Sequence, residues 1–228
     1  MQRIGQIMNV KLINYSQDPD GRNLLEQIAY CARVSNPGNQ DNSDTAEKLV
    51  RYLIKHQHWS PLEMVSICLE IETTRDIARQ ILRHRSFSFQ EFSQRYANPT
   101  EDLDFDIREA RMQDMKNRQN SVELNMENLS DRELNRLWAE KQHEITKVAK
   151  SSYKWAIDNG IAKEQARAVL PEGLVGSRLY MNGTLRSWVH YIQLRSGIET
   201  QKEHREIAVA CAKAIEPIFP MIKEFINE

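Results

Sequence analysis

The sequence of 228 residues contains 31 Lys and Arg against 32 Asp and Glu, and 40% of its residues are hydrophobic. This size and apolar content suffice for one large or two small soluble globular domains with a buried core. The formal net charge of -1 excludes a general electrostatic attraction to nucleic acid or acidic membranes, so any anion-binding site must be local.

Hydrophobic periodicity predicts a few strands and a larger number of helices along the chain. We expect strands at 9–15, 64–73 and 174–181, and helices at 21–33, 45–55, 74–82, 130–158, 162–170, 184–194 and 201–215. Residues 130–133 have the form of a capping box, and Asn159 with Gly160 provides a left-handed helix end. Because strands and helices do not alternate regularly, the fold class is predicted to be α+β, with a mixed sheet of a few strands flanked by helices.

Residues 106–136 differ in composition from the rest of the chain. They are strongly charged, rich in Asn, Gln and Met, and poor in aromatic residues. Such a composition offers little apolar surface for a packed core. We therefore expect a charged helical insertion here, exposed or partly mobile, that carries little chemistry.

The cysteines indicate the compartment rather than the chemistry. Cys31, Cys68 and Cys211 lie far apart and form no CxxC or zinc-type spacing. We interpret them as small buried hydrophobes in a reducing environment, and none has the setting of a nucleophile. The sequence shows no apolar run of membrane-spanning length and no signal peptide, which favours a cytoplasmic location. Neither a GxGxxG nor a P-loop motif occurs, so a nucleotide would not be bound in either common way.

The stretch at 83–96 carries the strongest functional signal. Arg83-His84-Arg85 would occupy the last turn of the helix at 74–82, where cations complement the helix dipole. If the chain then continues extended, Glu91, Ser93 and Arg95 share one face. This combination predicts a site for an anion such as a phosphate. Single-stranded nucleic acid, stacked on the nearby phenylalanines Phe87, Phe89 and Phe92, is the alternative, although the slightly acidic chain disfavours it.

Other candidate residues have alternative interpretations. Arg186 and His190 lie one helical turn apart and share a face, as a solvated or interface pair or as part of a site. Arg167 lies in an apolar helical stretch and needs either a carboxylate or a bound anion as its partner. His56 and His58 lack a carboxylate-rich cluster nearby, so no metal site is predicted.

One motif resembles a known family. Arg83-His84-Arg85, followed after seven residues by Ser93 and then by Gln94-Arg95-Tyr96, resembles the signature of flavin-dependent thymidylate synthases. The resemblance covers nearly the whole chain in the family's order, apart from 106–136, and includes 32–35, 58–63, 166–171, 185–188 and 193–195. It implies one domain over residues 1–228, forming a homotetramer of α+β subunits with FAD and dUMP at the subunit interfaces.

The resemblance also implies a reaction. Family members transfer a methylene group from 5,10-methylenetetrahydrofolate to carbon 5 of dUMP and reduce it with a flavin hydride, with NADPH as the ultimate reductant. The products are dTMP and tetrahydrofolate. Neither a nucleic acid nor a membrane partner is expected.

Site residues follow by position within the matched motifs. The expected dUMP contacts are Gln80, Arg83, Glu91, Ser93, Gln94, Arg95, Arg167 and Arg195. Arg195 and Ser93 are the expected catalytic residues: Arg195 would stabilise charge near the uracil, and Ser93 would position dUMP rather than attack it. The expected FAD contacts are Ser35, His58, Ser60, Glu63, Arg83, His84, Arg85, Glu91, Arg186 and His190. The chain departs from the family at Glu199, which replaces a histidine, and at Thr184, which replaces an asparagine.

Overall fold

The computed structural model describes residues 8–227. Its strands are β1 (Asn9–Tyr15), β2 (Ser66–Thr74), β3 (Ser88–Glu91), β4 (Arg111–Gln113), β5 (Ser121–Glu123) and β6 (Gly176–Thr184). Its α-helices are α1 (Leu24–Ala32), α2 (Ala46–Lys55), α3 (Arg75–Ile81), α4 (Pro99–Asp102), α5 (Leu129–Asp158), α6 (Lys163–Ala166), α7 (Leu185–Arg195) and α8 (Lys202–Ile215). Short 3₁₀ turns lie at Pro37–Asn39, Ser60–Met64, Arg167–Val169 and Pro220–Phe225. The α+β class and the three predicted strands are confirmed.

A four-stranded sheet in the order β1-β2-β6-β3 forms the centre of the protein. All three neighbouring strand pairs are antiparallel, so the expected mixed sheet is wrong. The reason lies in β2, where Ile67, Leu69 and Ile71 are fully buried and the residues between them are only partly so. This alternation is typical of an antiparallel sheet with one face on the core.

The two central strands run directly into helices. Thr74 ends β2 and caps α3, while Thr184 ends β6 and caps α7 through a bond from the amide of Ser187. Because Thr74 pairs with Gly176 and Ser66 pairs with Thr184, these helices begin at opposite ends of the strand pair. The core lies between β2, α7 and α8, and within it Trp188 Nε1 donates to the carbonyl of Ile67 at 3.0 Å. In residues 8–227 no helix has the length and apolar character needed to cross a membrane.

The stretch at 83–96 departs from both expectations about its backbone. Helix α3 ends at Ile81, so Arg83, His84 and Arg85 lie in the turn after it and not in its last turn. The amides in this turn bond three residues back, from His84 to Ile81 and from Phe87 to His84. The extended part also ends early, at Glu91, which pairs with Leu179 of β6. Ser93 and Arg95 therefore lie in a following turn and do not continue the face of Glu91.

The expected helical insertion at 106–136 contains a β-hairpin instead. Strands β4 and β5 pair antiparallel, and Asp114 stabilises the connection by accepting bonds from the amides of Lys116 and Asn117 at 2.7 and 3.1 Å. Such aspartate-centred turns compete with helix formation. Only the end of the segment is helical, because α5 begins at Leu129, with Asn128 rather than Ser130 as its cap.

Gly183 allows one close approach that positions the turn after α3. The ring of Phe87 covers Gly183 so closely that a Cβ there would lie 2.4 Å from Phe87 Cδ1. Phe87 also contacts Trp188 edge-on, with ring centroids 4.9 Å apart, and is buried. The bare backbone of Gly183 thus seats Phe87, and Phe87 holds the turn containing Arg83, His84 and Arg85 against the sheet.

Replacing Gly183→Ala should destabilise the protein by about 1–3 kcal/mol, because the added methyl overpacks a full site. Urea unfolding measures this change. Gly173→Ala is the matched control, since a Cβ at Gly173 meets nothing within 4 Å, and it should change stability by less than about 0.5 kcal/mol. Equal effects of the two substitutions would show that the contact with Phe87 does not matter.

Candidate functional site

Arg195 and His84 meet where the end of α7 faces the turn after α3. Arg195 Nε donates to His84 Nε2 at 2.9 Å, so His84 is an acceptor at this atom and carries its proton on Nδ1. Burial, with the charges of Arg195 and Arg83, lowers the pKa of His84 to about 4. A neutral histidine therefore holds Arg195 by its Nε and leaves both Nη groups available for a ligand.

Gln80 lies near this pair, because it contacts His204, whose ring centroid is 6.2 Å from that of His84. Neither His204 nor Gln201 was predicted as a site residue. Gln80 Nε2 donates to Gln201 Oε1 at 2.8 Å, and Gln80 Oε1 lies 3.2 Å from His204 Nδ1. His204 Nε2 in turn lies 3.2 Å from the hydroxyl of Tyr191. Burial, aided by Arg195 and His84, lowers the pKa of the buried His204 to about 3. Elements α3, α7 and α8 thus bring two expected nucleotide contacts, Gln80 and Arg195, together around two neutral histidines.

Glu91 anchors a second group on the other side of α3. Its carboxylate lies 3.5 Å from Arg75 and 3.6 Å from Arg79, and accepts from Ser177 Oγ at 2.9 Å. Arg75 Nη1 is buried and has no hydrogen-bond partner within residues 8–227. Neither arginine was predicted as a site residue, although their spacing of four, continued by Arg83, places them on one helix face and could have revealed them.

A third group gathers Ser93, Gln94, Arg95 and Arg167. Arg95 Nε lies 3.4 Å from the Glu164 carboxylate, and Arg167 Nε donates to the Glu164 carbonyl at 3.3 Å. Ser93 Oγ accepts from the Arg95 amide at 3.4 Å. Gln94 is 4% exposed, and its Nε2 has no partner in the described part of the chain. An unpaired buried amide costs about 1–3 kcal/mol, so this group is suited to an acceptor-rich ligand.

The residues expected to contact FAD lie in separate patches of one chain. Glu63 and Arg186 form an ion pair at 2.6 Å, and the ring of His190 stands edge-on to Trp59 at 4.7 Å. Ser60 begins the same 3₁₀ turn as Glu63, and burial and Arg186 lower the pKa of His190. This patch therefore combines ionic and aromatic groups around the N-terminal half of α7.

Ser35, His58 and the exposed arginines complete the expected FAD set but lie apart from that patch. Ser35 lines an open groove of about 560 Å³ that Tyr52 also lines, and the His58 ring lies 6.2 Å from Tyr52. Arg83 and Arg85 are exposed, and within residues 8–227 neither forms an ion pair. The described residues contain no group of three or more His, Cys, Asp or Glu that could hold a metal ion. Glu199 lies exposed after α7.

The nucleic-acid alternative depends on phenylalanine rings that bases could reach. Phe87 is buried beneath its contacts with Gly183 and Trp188. Phe89 is partly buried and packs against the core. Phe92 is half-buried, so none of these three phenylalanines is the exposed stacking platform that single-stranded nucleic acid requires.

Comparisons with known proteins agree along the whole chain. The sequence model of the thymidylate synthase complementing protein family matches residues 11–221. A flavin-dependent thymidylate synthase from Synechocystis sp. is 47% identical over 223 residues, which cover 94% of this chain and 97% of the relative. A probable flavin-dependent thymidylate synthase from Paramecium bursaria Chlorella virus 1 is 44% identical over 222 residues, covering 96% of this chain and 99% of the relative.

A solved structure is similar in fold. It is that of a UMP/dUMP methylase, PolB from Streptomyces cacaoi, bound with 5-Br dUMP. Its TM-score is 0.79, with 24% sequence identity, and the match covers 97% of this chain and 95% of that chain. At this level of identity the likeness establishes the fold alone.

Arg195→Met should raise the pKa of His84 above about 4, because one of the two cations that depress it is removed while its burial remains. NMR titration of the imidazole measures the change. Because the folded pKa lies below the usual 6.5, the unfolded chain binds more protons between these values, and stability falls as pH drops from 6.5 to about 4. In the Arg195→Met variant, the pH range over which stability falls should be narrower.

Arg186→Met is the control for this titration. Arg186 lowers the pKa of His190 and is not among the causes of the His84 shift. Its removal should therefore leave the titration of His84 unchanged. A His84 pKa that responds equally to both substitutions would contradict the assigned contact with Arg195.

Proposed function

The chain belongs to the thymidylate synthase complementing protein family, whose curated relatives are flavin-dependent thymidylate synthases, and we propose that it methylates dUMP reductively to dTMP. The carbon donor is 5,10-methylenetetrahydrofolate, NADPH is the reductant, and tetrahydrofolate is the second product. Bound FAD supplies the hydride in this chemistry. The observation that carries the proposal is the match at 44–47% identity over nearly the full length of two relatives.

The nucleotide phosphate would be held by the arginines around Glu91 and Glu164. Arg95 and Arg167 converge on Glu164, while Arg75 and Arg79 converge on Glu91. Guanidinium groups form paired, charge-assisted hydrogen bonds with phosphate oxygens. Two buried donors have no hydrogen-bond partner within residues 8–227, Gln94 Nε2 and Arg75 Nη1, although the latter lies 3.5 Å from the Glu91 carboxylate. Both support an anionic occupant.

The uracil ring would be polarised by Arg195. Because neutral His84 accepts from Arg195 Nε, the guanidinium is oriented before substrate arrives. Its Nη groups would then face a pyrimidine carbonyl and stabilise the negative charge that develops as carbon 5 becomes nucleophilic. Ser93 lies beside the amide of Arg95 and would position dUMP without acting as a nucleophile.

The expected FAD residues have suitable chemistry for that cofactor. Arg83 and Arg85 are exposed cations that form no ion pair in the described part of the chain, as the diphosphate of FAD requires. Trp59 and His190 offer aromatic surface beside the Glu63–Arg186 pair. Ser35, His58 and Ser60 would supply further polar contacts, and Glu91 would contact both ligands.

We place these sites at the interfaces of a homotetramer. Strand β3 separates Arg85 from Ser93, and its four residues span roughly 10–13 Å. This separation would allow the two ends of the stretch at 83–96 to contact different neighbouring subunits. Helix α5 also exposes a row of large apolar side chains that a second copy would cover, namely Leu134, Leu137, Trp138, Ile145, Val148 and Trp155.

We place the enzyme in the cytoplasm. All three cysteines are unpaired thiols, with Cys211 buried and Cys31 and Cys68 half-buried. Unpaired cysteines are typical of reducing compartments. Proteins of oxidising compartments more often pair them.

The purified protein should be yellow from bound flavin. It should release tritium from 5-tritiated dUMP when methylenetetrahydrofolate and NADPH are present, because the hydrogen at carbon 5 is replaced in the reaction. A colourless protein that neither takes up FAD nor releases tritium would refute the proposal.

Arg95→Ala separates substrate binding from cofactor binding in the same assay. The dissociation constant of dUMP should rise roughly 10- to 100-fold, since a hydrogen bond to a charged group contributes about 1.5–3 kcal/mol. The flavin absorption should remain. Arg136→Ala removes an exposed arginine of α5 that, within residues 8–227, forms ion pairs with Glu133 and Glu140 alone. It should leave the dissociation constant of dUMP and the flavin absorption unchanged.

A further inference from the structure

A chain of side-chain hydrogen bonds connects the hairpin of β4 and β5 to Gln80. Arg111 on β4 donates to Glu203 Oε1, and Glu203 Oε2 accepts from Gln201 Nε2 at 2.9 Å. Gln201 Oε1 then accepts from Gln80 Nε2 at 2.8 Å. Gln80 Oε1 lies 3.2 Å from His204 Nδ1, where the chain ends on α8.

The Arg111–Glu203 ion pair, at one end of this series of hydrogen bonds, determines the direction of every bond in the series. A glutamine amide can be reversed, and only its neighbours decide which end is the oxygen. An arginine only donates and an ionised carboxylate only accepts, so Gln201 must present its NH₂ to Glu203 and its oxygen to Gln80. Gln80 must then present its NH₂ to Gln201 and its oxygen to His204. His204 consequently carries its proton on Nδ1 and accepts at Nε2 from the hydroxyl of Tyr191.

The Arg111–Glu203 ion pair is not needed to attach the hairpin to α8. The side chains of Arg111 and Glu203 are only 11% and 7% exposed, and a buried ion pair costs desolvation that its attraction often fails to repay. Lys202 already ties the hairpin to α8 by ion pairs with Glu109 and Glu123, both at 2.6 Å. A role in orienting the neighbouring amides explains why a buried pair is present as well.

We propose that Arg111 and Glu203 are positioning residues that fix the orientation of the Gln80 amide in the nucleotide site. This inference rests on the proposed function, in which Gln80 makes the dUMP contact that the family resemblance implies. After its internal bonds, Gln80 retains one N–H and one oxygen lone pair for a ligand. With the ring held at one position, the Gln80 oxygen faces the uracil N3–H and the Gln80 N–H faces a neighbouring carbonyl. Reversing the amide would then set donor against donor and acceptor against acceptor. The hairpin of the charged segment thus takes part in recognising the pyrimidine.

Glu203→Gln tests the inference because it keeps the side-chain shape and removes the charge. Its oxygen would still face Arg111, so its NH₂ would face Gln201 and reverse both amides in turn. His204 should then change from the Nδ1–H to the Nε2–H tautomer, which ¹⁵N NMR of the imidazole distinguishes. The KM for dUMP should rise about tenfold, the cost of one mismatched hydrogen bond, while kcat and the affinity for FAD change little.

Two further variants distinguish the orientation of the Gln80 amide from the attachment of the hairpin to α8. Arg111→Lys keeps a cation against the carboxylate and should retain the Nδ1–H tautomer and most of the dUMP affinity. Lys202→Met weakens the attachment of the hairpin and removes no member of the series of hydrogen bonds from Arg111 to His204. It should keep the Nδ1–H tautomer of His204 and a KM for dUMP within about twofold of the original.

The inference is overturned if Glu203→Gln leaves the His204 tautomer unchanged, or if Lys202→Met raises the KM as much as Glu203→Gln does. Failure of the proposed function would look different. The unaltered protein would then not bind dUMP. The tautomer of His204 would still show whether Glu203 sets the direction of the hydrogen bonds from Glu203 to His204.

Discussion

The contact of Phe87 with the bare backbone of Gly183 is the constraint on which the site depends. It holds the turn after α3 against β6 at a point where a Cβ would lie 2.4 Å from the ring. The turn carries His84 towards the end of α7, where Arg195 reaches it. The same contact sets the start of β3, whose pairing with β6 places Glu91 beside Ser177. Two groups of expected site residues thus depend on one packing contact between an aromatic ring and a glycine.

The arginines of the expected site differ in whether a carboxylate, a neutral group or no partner in the described residues holds them. Arg75 and Arg79 are held by Glu91, and Arg195 is held by a neutral imidazole that takes none of its charge. Keeping His84 neutral therefore orients Arg195 without neutralising it. Arg83 and Arg85 are left exposed, with no ion pair in the described residues, and can meet an anion in solution or a neighbouring subunit. Arg195 thus differs from Arg75 and Arg79, because a neutral acceptor orients it where a carboxylate holds them.

Local pattern predicted the strands and helices that carry the site, but not the partners of its residues. The apolar alternation of β2 and the helical periods at 185–195 and 202–215 are confirmed, because each reports burial on one face of a single element. The hairpin was missed because its turn depends on Asp114 and its attachment depends on Glu203, 92 residues from Arg111. His204 and Gln201 were not predicted as site residues for the same reason, since each contacts Gln80, more than 100 residues away. Gln80 and Arg195 were predicted as nucleotide contacts from the family resemblance, not from spacing.

We propose that the two ends of the stretch at 83–96 serve sites shared between subunits, with Arg85 on the flavin side and Arg95 on the nucleotide side. The test is to mix Arg85→Ala and Arg95→Ala proteins, after dissociation and reassembly, and to assay them at a dUMP concentration at which each alone is inactive. If each site takes Arg85 from one subunit and Arg95 from another, random reassembly restores activity at about a quarter of the sites. Hybrid oligomers verified by native mass spectrometry that remain inactive would contradict the account.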